Sequence, residues 1–188
     1  MGKVYAALDA SLTNFISRQH LFFVATAPLD PKGHPNLSPK GVEHLRVLGA
    51  HQVAYLDLTG SGVETISHLR ENGRIVIMFC ALEGAPKVLR LYGRGEAFEP
   101  GEAGFAELRP LFRDVPGARA IVRVTVDRIA DSCGWGVPLY EYQGERTQLI
   151  EWAERRGAGG LDHYRAEHNR FSIDGLPGLR FAGHPTAK

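Results

Sequence analysis

Gln52-Val53-Ala54-Tyr55-Leu56-Asp57-Leu58-Thr59-Gly60-Ser61-Gly62 is the stretch on which the fold turns. Its first half, through Asp57, is apolar, β-branched and aromatic, and reads as a strand. Small residues then take over, and the chain runs directly into a helical pattern from Gly62 to Asn72. Val63, Ile66 and Leu69 share one face of that helix, and Asn72-Gly73 supplies its stop. A strand that passes through glycines into a helix invites a dinucleotide-binding reading. Thr59-Gly60-Ser61-Gly62 lacks the third glycine and the correctly spaced acidic residue of that fingerprint. What remains is the chemistry of the turn itself: hydroxyls and backbone N–H groups at a helix N-terminus, where negative charge is favoured.

A second segment of the same character lies upstream, at Asn36-Leu37-Ser38-Pro39-Lys40-Gly41. Ser38 and Lys40 are two apart on a strand and so project from one face. Together the two segments suggest a single bound phosphorylated cofactor.

Outward from these segments, Asp9 to Gln19 is expected to be a helix with Leu12, Phe15 and Ile16 on one face and Asp9 or Ser11 as cap. Leu21 to Ala27 is a β-type run, and the Pro- and Gly-containing stretch from Pro28 to Pro35 makes it a hairpin with the Ser38–Lys40 arm. Arg46-Val47-Leu48 pairs back through Gly49-Ala50-His51 onto the Gln52–Asp57 strand. Arg74 to Ala81 is a central strand, and Val88 to Phe98 another, with Gly93-Arg94-Gly95 marking a bulge or a close backbone approach. Gly101 to Phe112 suits a short surface helix and Ala120 to Ile129 a strand. Tyr140 and Tyr142 alternate as on a strand. Glu145 to Arg156 is an amphipathic helix ended by Gly157, and the remainder reads as a packed tail.

Strands with helices inserted between hairpins do not alternate as βαβ units. The class expected is mainly β (α+β): an antiparallel split barrel with helical insertions and C-terminal helices. It forms a single domain over 1–188, with the barrel at about 20–130 and a helical extension at about 143–188.

Composition narrows the function. A net charge of +1 gives no basic field for nucleic acid, and no segment approaches the ~20 apolar residues of a membrane span. Cys80 and Cys133 form no CxxC pair or zinc spacing, which fits reduced thiols in a cytoplasmic protein without a metal. His163 and His168 are surface histidines rather than ligands. No Ser/His/Asp order, HExxH or paired-carboxylate arrangement is recognisable, so no catalytic residue is assigned. That suits a protein whose cofactor carries the chemistry.

The order of these features resembles a family: N-terminal helix, Phe22-Phe23-Val24-Ala25-Thr26 strand, Ser38-x-Lys40 after the hairpin, strand, small-residue turn, helix ending in Asn72, apolar strand, then Val88-x-Arg90-Leu91-x-Gly93. It is similar to the pyridoxamine 5′-phosphate oxidase-like superfamily, the FMN-binding split β-barrel, over roughly residues 10 to 130. Asp131 to Tyr142 resembles the C-terminal signature of an uncharacterised branch. The resemblance implies a homodimer with two FMN sites at the subunit interface. Carried over by position, Ser38 and Lys40 face the flavin and its phosphate, and Thr59, Ser61 and Gly62 hold the phosphate or ribityl chain. Thr65 and Glu64 stand where the oxidases place a phosphate-binding lysine and an arginine, which leaves more of the neutralisation to Lys40 and Arg90. Trp135, between two glycines, borders the pocket.

The Arg- and Trp-rich signature that closes the oxidases' substrate pocket is not recognisable. The expected activity is therefore an FMN-dependent oxidoreductase with a different small-molecule substrate, passing hydride between that substrate and the flavin, with O₂ or a nicotinamide as the other partner. Two alternatives stand beside it. One is an F420-dependent reductase of the same fold, with Lys87 and Arg90 receiving the cofactor's acidic tail. The other is a non-catalytic flavin- or haem-binding module.

Overall fold

A computed structural model describes residues 2–180, so the last eight residues of the expected C-terminal extension, 181–188, lie outside the described residues. The chain opens with β1 (Val4–Tyr5) and α1 (Ala10–Ser17). Asp9 caps α1, its carboxylate accepting from the Leu12 N–H at 2.8 Å. The strands that follow are β2 (Leu21–Thr26), β3 (Asn36–Gly41), β4 (Leu45–Gly49) and β5 (Gln52–Leu58). After α2 (Glu64–Asn72) come β6 (Arg74–Cys80), β7 (Val88–Phe98), α3 (Ala103–Leu108), β8 (Ala118–Ser132) and α4 (Gln148–His168).

All strand pairs are antiparallel, in the order β3-β2-β6-β7-β8-β5-β4, with β1 added to β8. The two edges of this order, β3 and β4, are consecutive in the chain and joined only by the 3₁₀ turn Val42–His44. Three residues span only about 10 Å, so the sheet must curl to bring the end of β3 to the start of β4, while the two edges stay unpaired among the described residues. The result is the expected split barrel.

β5 is buried on both faces, which is why it reads as a continuous apolar run rather than an alternation. Val53 and Tyr55 enter the large interior cluster with Phe22, Ile77, Phe79, Leu89, Leu91, Val122 and the buried face of α1. Ala54 and Leu56 face the other way, onto Ile121, Leu108 and Phe112. Val63 and Ile66 of α2 pack on Ala120 of β8 and on Leu179 near the end of the described chain.

Local signals hold closely. Gly73 has φ 70°, the left-handed value that ends a helix, and its N–H caps onto the Leu69 carbonyl at 3.0 Å. At Gly93 a Cβ would lie 2.1 Å from the Thr125 carbonyl oxygen, just where the β7–β8 register shifts. Both the bulge and the close backbone approach expected there are present.

Two expectations fail. Tyr140 and Tyr142 are not on a strand: residues 133–147 form an irregular arm outside the sheet, with one backbone bond to the β6–β7 connection, Tyr140 N–H to the Leu82 carbonyl at 2.9 Å. And the segment after Gly157 is not merely a tail. Gly157, at φ 63° and ψ 176°, does break the helix, but helical structure resumes and runs to His168. Gly159 and Gly160 weaken the local helical signal; buried Leu161 and Ala166 and the bonds of Arg165 supply what propensity does not. Among the described residues, no helix is long and apolar enough to cross a membrane.

Candidate functional site

A cleft of about 1560 Å³ lies where the split in the barrel meets the start of α2. Six of the expected residues line it: Ser38, Lys40, Thr59, Ser61, Gly62 and Thr65. They come from β3, the β5–α2 turn and the first turn of α2. Arg90 and Trp135 are placed elsewhere. Arg90 donates to the Ser132 hydroxyl at 3.2 Å outside the cleft, and Trp135 stands 82 % exposed on the arm.

Lys40 is not a free cation. Its ammonium lies 2.6 Å from Asp57 Oδ1, while Arg119 Nε donates to Asp57 Oδ2 at 2.8 Å. Asp57 is 2 % exposed, a carboxylate set in an apolar strand and satisfied by two cations. Burial works to raise its pKa, but the charges of Arg119 and Lys40 and their hydrogen bonds outweigh burial and hold the carboxyl well below the usual range. The cluster thus has two positive charges and one negative, a net +1 on the cleft wall.

The hydroxyls divide into structural and available ones. Thr59 is 1 % exposed; its hydroxyl donates to the Gly117 carbonyl at 2.8 Å and accepts from Arg165 Nε at 2.9 Å. Thr65 accepts from Asn36 Nδ2 at 2.9 Å, and Asn36 Oδ1 accepts from Ser38 at 3.1 Å. Asn36 therefore ties β3 to the start of α2. The Ser61 hydroxyl has no partner among the described residues.

The carbonyls of the turn are all drawn to one side. Arg119 donates to the carbonyls of Gly60 at 3.3 Å and Gly62 at 2.8 Å. Asn169 Nδ2 donates to Gly60 at 2.9 Å and Ser61 at 3.4 Å, and Asn169 Oδ1 accepts from Arg119 at 2.9 Å. In a trans peptide the C=O and the next N–H point in opposite directions. Holding the carbonyls of residues 60–62 toward Arg119 and Asn169 turns the N–H groups of Ser61, Gly62 and Val63 away from them. Among the described residues these N–H groups have no acceptor. Glu64 departs from this pattern, since its carboxylate sits where a Cβ on Gly62 would collide with it.

The opposite end of the cleft is formed by the arm. The Tyr142 ring stacks on His20 at 3.6 Å with 2° between planes, its N–H donates to Glu83 at 2.9 Å, and its hydroxyl bonds Glu145 at 2.7 Å. Lys87 lines the cleft but lies 3.6 Å from Asp131 and over the rings of Tyr5 and Phe15. It does not converge with Arg90.

Asp57, Arg119, Arg165 and Asn169 were not anticipated from sequence. The only signal was a carboxylate inside an apolar run, which requires a buried cation somewhere in the chain.

Comparison with known proteins places these features. Residues 8–133 match the family model described as pyridoxamine 5′-phosphate oxidase. The chain is 39 % identical over 196 residues to the pyridoxamine 5′-phosphate oxidase family protein ustO of Aspergillus flavus, covering 95 % of this chain and 78 % of that one. Among solved structures, a single-residue variant of HupZ from Group A Streptococcus aligns with a TM-score of 0.51 at 25 % identity, over 66 % of this chain and 99 % of that one. A candidate pyridoxamine 5′-phosphate oxidase from Lactobacillus delbrueckii aligns with a TM-score of 0.51 at 19 % identity, over 68 % and 98 %, a likeness of fold alone.

Proposed function

This chain belongs to the pyridoxamine 5′-phosphate oxidase family, and from that premise we propose that it binds FMN in the cleft and acts as an oxidoreductase on a small organic molecule other than pyridoxamine phosphate. The observation that carries this reading is the convergence of β3, the 59–62 turn and the start of α2 on one cleft, with free N–H groups and the Ser61 hydroxyl at its anion-favouring end.

The residues fit a phosphate monoester. The N–H groups of Ser61 and Gly62 and the Ser61 hydroxyl would donate to it at the N-terminus of α2. The net positive charge of Lys40, Asp57 and Arg119 supplies attraction without a free lysine. Phe15, Phe23 and Leu149 give the cleft apolar surface suited to a ring system. When bound, the flavin supplies the two-electron redox chemistry. The protein's part is to orient it and to cover the cleft with the arm.

A substrate unlike pyridoxamine phosphate is supported by charge. Glu64 stands at the turn, and beyond it the cleft is of mixed charge, Glu43, Glu83, Glu141 and Glu145 beside Arg18, Lys87 and Arg146, so the carboxylates would weaken the hold on a second phosphate without excluding one. The proposal extends to a homodimer, favoured by the exposed apolar side chains of the arm: Trp135, Leu139 at 76 % and Tyr140 at 63 %. Light scattering on the purified chain reads the assembly state directly.

The test of cofactor binding is titration with FMN, followed by quenching of flavin fluorescence. Saturable quenching is expected, and turnover with NAD(P)H and a panel of acceptors should follow. A colourless protein that leaves FMN fluorescence unchanged refutes the proposal.

A further inference from the structure

The family match ends at residue 133, yet the turn at the end of the cleft is held by a residue from far beyond it. Asn169 is completely buried, follows α4 directly, and lies 109 positions from Gly60 in sequence. Its side chain uses three of its four hydrogen-bonding directions on this one structure: two donations, to Gly60 and Ser61, and one acceptance, from Arg119. Its backbone is fixed too, with the N–H on the Arg165 carbonyl at 2.8 Å and the carbonyl accepting from Leu179 at 2.8 Å. Arg165, one helical turn earlier, donates to the Thr59 hydroxyl and to the Ala118 carbonyl. The chain then folds back through the Phe171–Pro177 bridge, and Leu179 packs on Val63 and Ile66 of α2.

We propose that Asn169, through Arg119, is a positioning residue for the cofactor phosphate: the C-terminal segment clamps the carbonyls of residues 60–62 so that the N–H groups of Ser61 and Gly62, which line the cleft, stand preset as donors. This rests on the flavin-phosphate reading above. The physical basis is preorganisation. Gly60 and Gly62 allow many backbone conformations, and only some direct successive N–H groups to one point. A clamp on the carbonyls removes the others before the ligand arrives, so binding does not have to order the turn. The clamp acts on the phosphate end alone, since Asn169 does not line the cleft.

The experiment compares FMN with riboflavin, which lacks the phosphate. Wild-type protein is expected to prefer FMN. In Asn169→Ala the FMN affinity should fall about tenfold while riboflavin affinity holds, so the preference collapses. Asn169→Leu serves where the alanine variant folds poorly, because it fills the same volume and removes the bonds to Gly60, Ser61 and Arg119 without adding a charge near the phosphate. His163→Ala, on the exposed face of the same helix, should leave both affinities unchanged. A preference for FMN that persists in both Asn169 variants overturns the clamp and leaves flavin binding standing. Equal losses for FMN and riboflavin also overturn it, since a general structural role would weaken both. Failure of the wild-type protein to bind either flavin overturns the clamp together with the reading it rests on.

Discussion

The two ends of the cleft are built differently. At the 59–65 turn, each side chain that shapes the backbone is buried and hydrogen-bonded: Asp57, Thr59, Arg119 and Asn169 are all less than a tenth exposed. At the arm, residues 133–147 have no regular structure, and Trp135, Leu139, Tyr140 and Tyr142 are exposed. The arm is held mainly by one stacked ring and a few bonds to residues 82–83. The difference teaches which part of ligand recognition is preset. The end that would receive a phosphate is fixed before binding, whereas the end that would meet the substrate is tethered at few points, as local stability arguments require of a segment that moves.

The sharpest way to break this comparison is to remove the carboxylate at the rigid end. Asp57→Ala leaves Lys40 and Arg119 without their common partner, and removal of one member of a buried ion pair costs about 3–5 kcal/mol. Urea denaturation should show a loss of that size, with FMN binding lost as well. A loss under about 1 kcal/mol would mean that the rigid end is not organised around Asp57. The sign of the pH dependence follows from the depressed folded-state pKa. The stabilisation is full above the unfolded-state value of about 3.9 and disappears as pH falls below it.

How far the rigid end could be read in advance depends on the range of its interactions. Asp9 as a cap, Gly73 as a stop and Gly93 as a close approach are local, and the sequence shows them directly. So does the shared face of Ser38 and Lys40. What Lys40 does with its charge is not local. Its partner is 17 residues away, and Arg119 is 62 residues from Asp57. Nothing in a period or a propensity pairs them, so the ion pair that Lys40 makes with Asp57 at the cleft wall is not legible in the sequence. Asn169 is further still, beyond a glycine-rich helix whose own pattern is faint.

A second test separates the rigid end from the α2–β2 packing beside it. His68 is fully buried on α2, with Nδ1 2.9 Å from the Thr26 hydroxyl, and burial pushes its pKa down. A lowered folded-state pKa gives stability that is present above the unfolded value of about 6.5 and lost as pH falls through the folded one. Stability should therefore decline from about pH 6.5, by no more than about 1.4 kcal/mol per pH unit, well before the Asp57 contribution is touched. His68→Phe should flatten that first decline and leave the acid-side one in place.

A third concerns charge within the rigid end. Glu64 itself occupies the anion-favouring terminus of α2 and so repels a phosphate brought there, and Glu64→Gln removes a negative charge while keeping the shape. FMN affinity should rise by about two- to fivefold at low salt and the gain should shrink as salt is added, because Glu64 is partly exposed to solvent. Riboflavin affinity should not change. An equal gain for both flavins would place the carboxylate's effect on the ring rather than on the phosphate.

The smallest effect on stability belongs to the arm. Tyr142→Ala removes the ring stacked on His20 and the hydroxyl bond to Glu145, both near the surface, so global stability should change by less than about 0.5 kcal/mol. Limited proteolysis should nevertheless cut residues 133–147 several-fold faster, since the equilibrium between tethered and released arm depends on very few contacts. The two readouts belong together. If the arm were part of the same cooperative unit as the turn, cleavage and global stability would move in step. If it is a separately tethered cover, cleavage rises alone, and added FMN should protect the arm only to the extent that the ligand reaches from the preset end of the cleft to the tethered one.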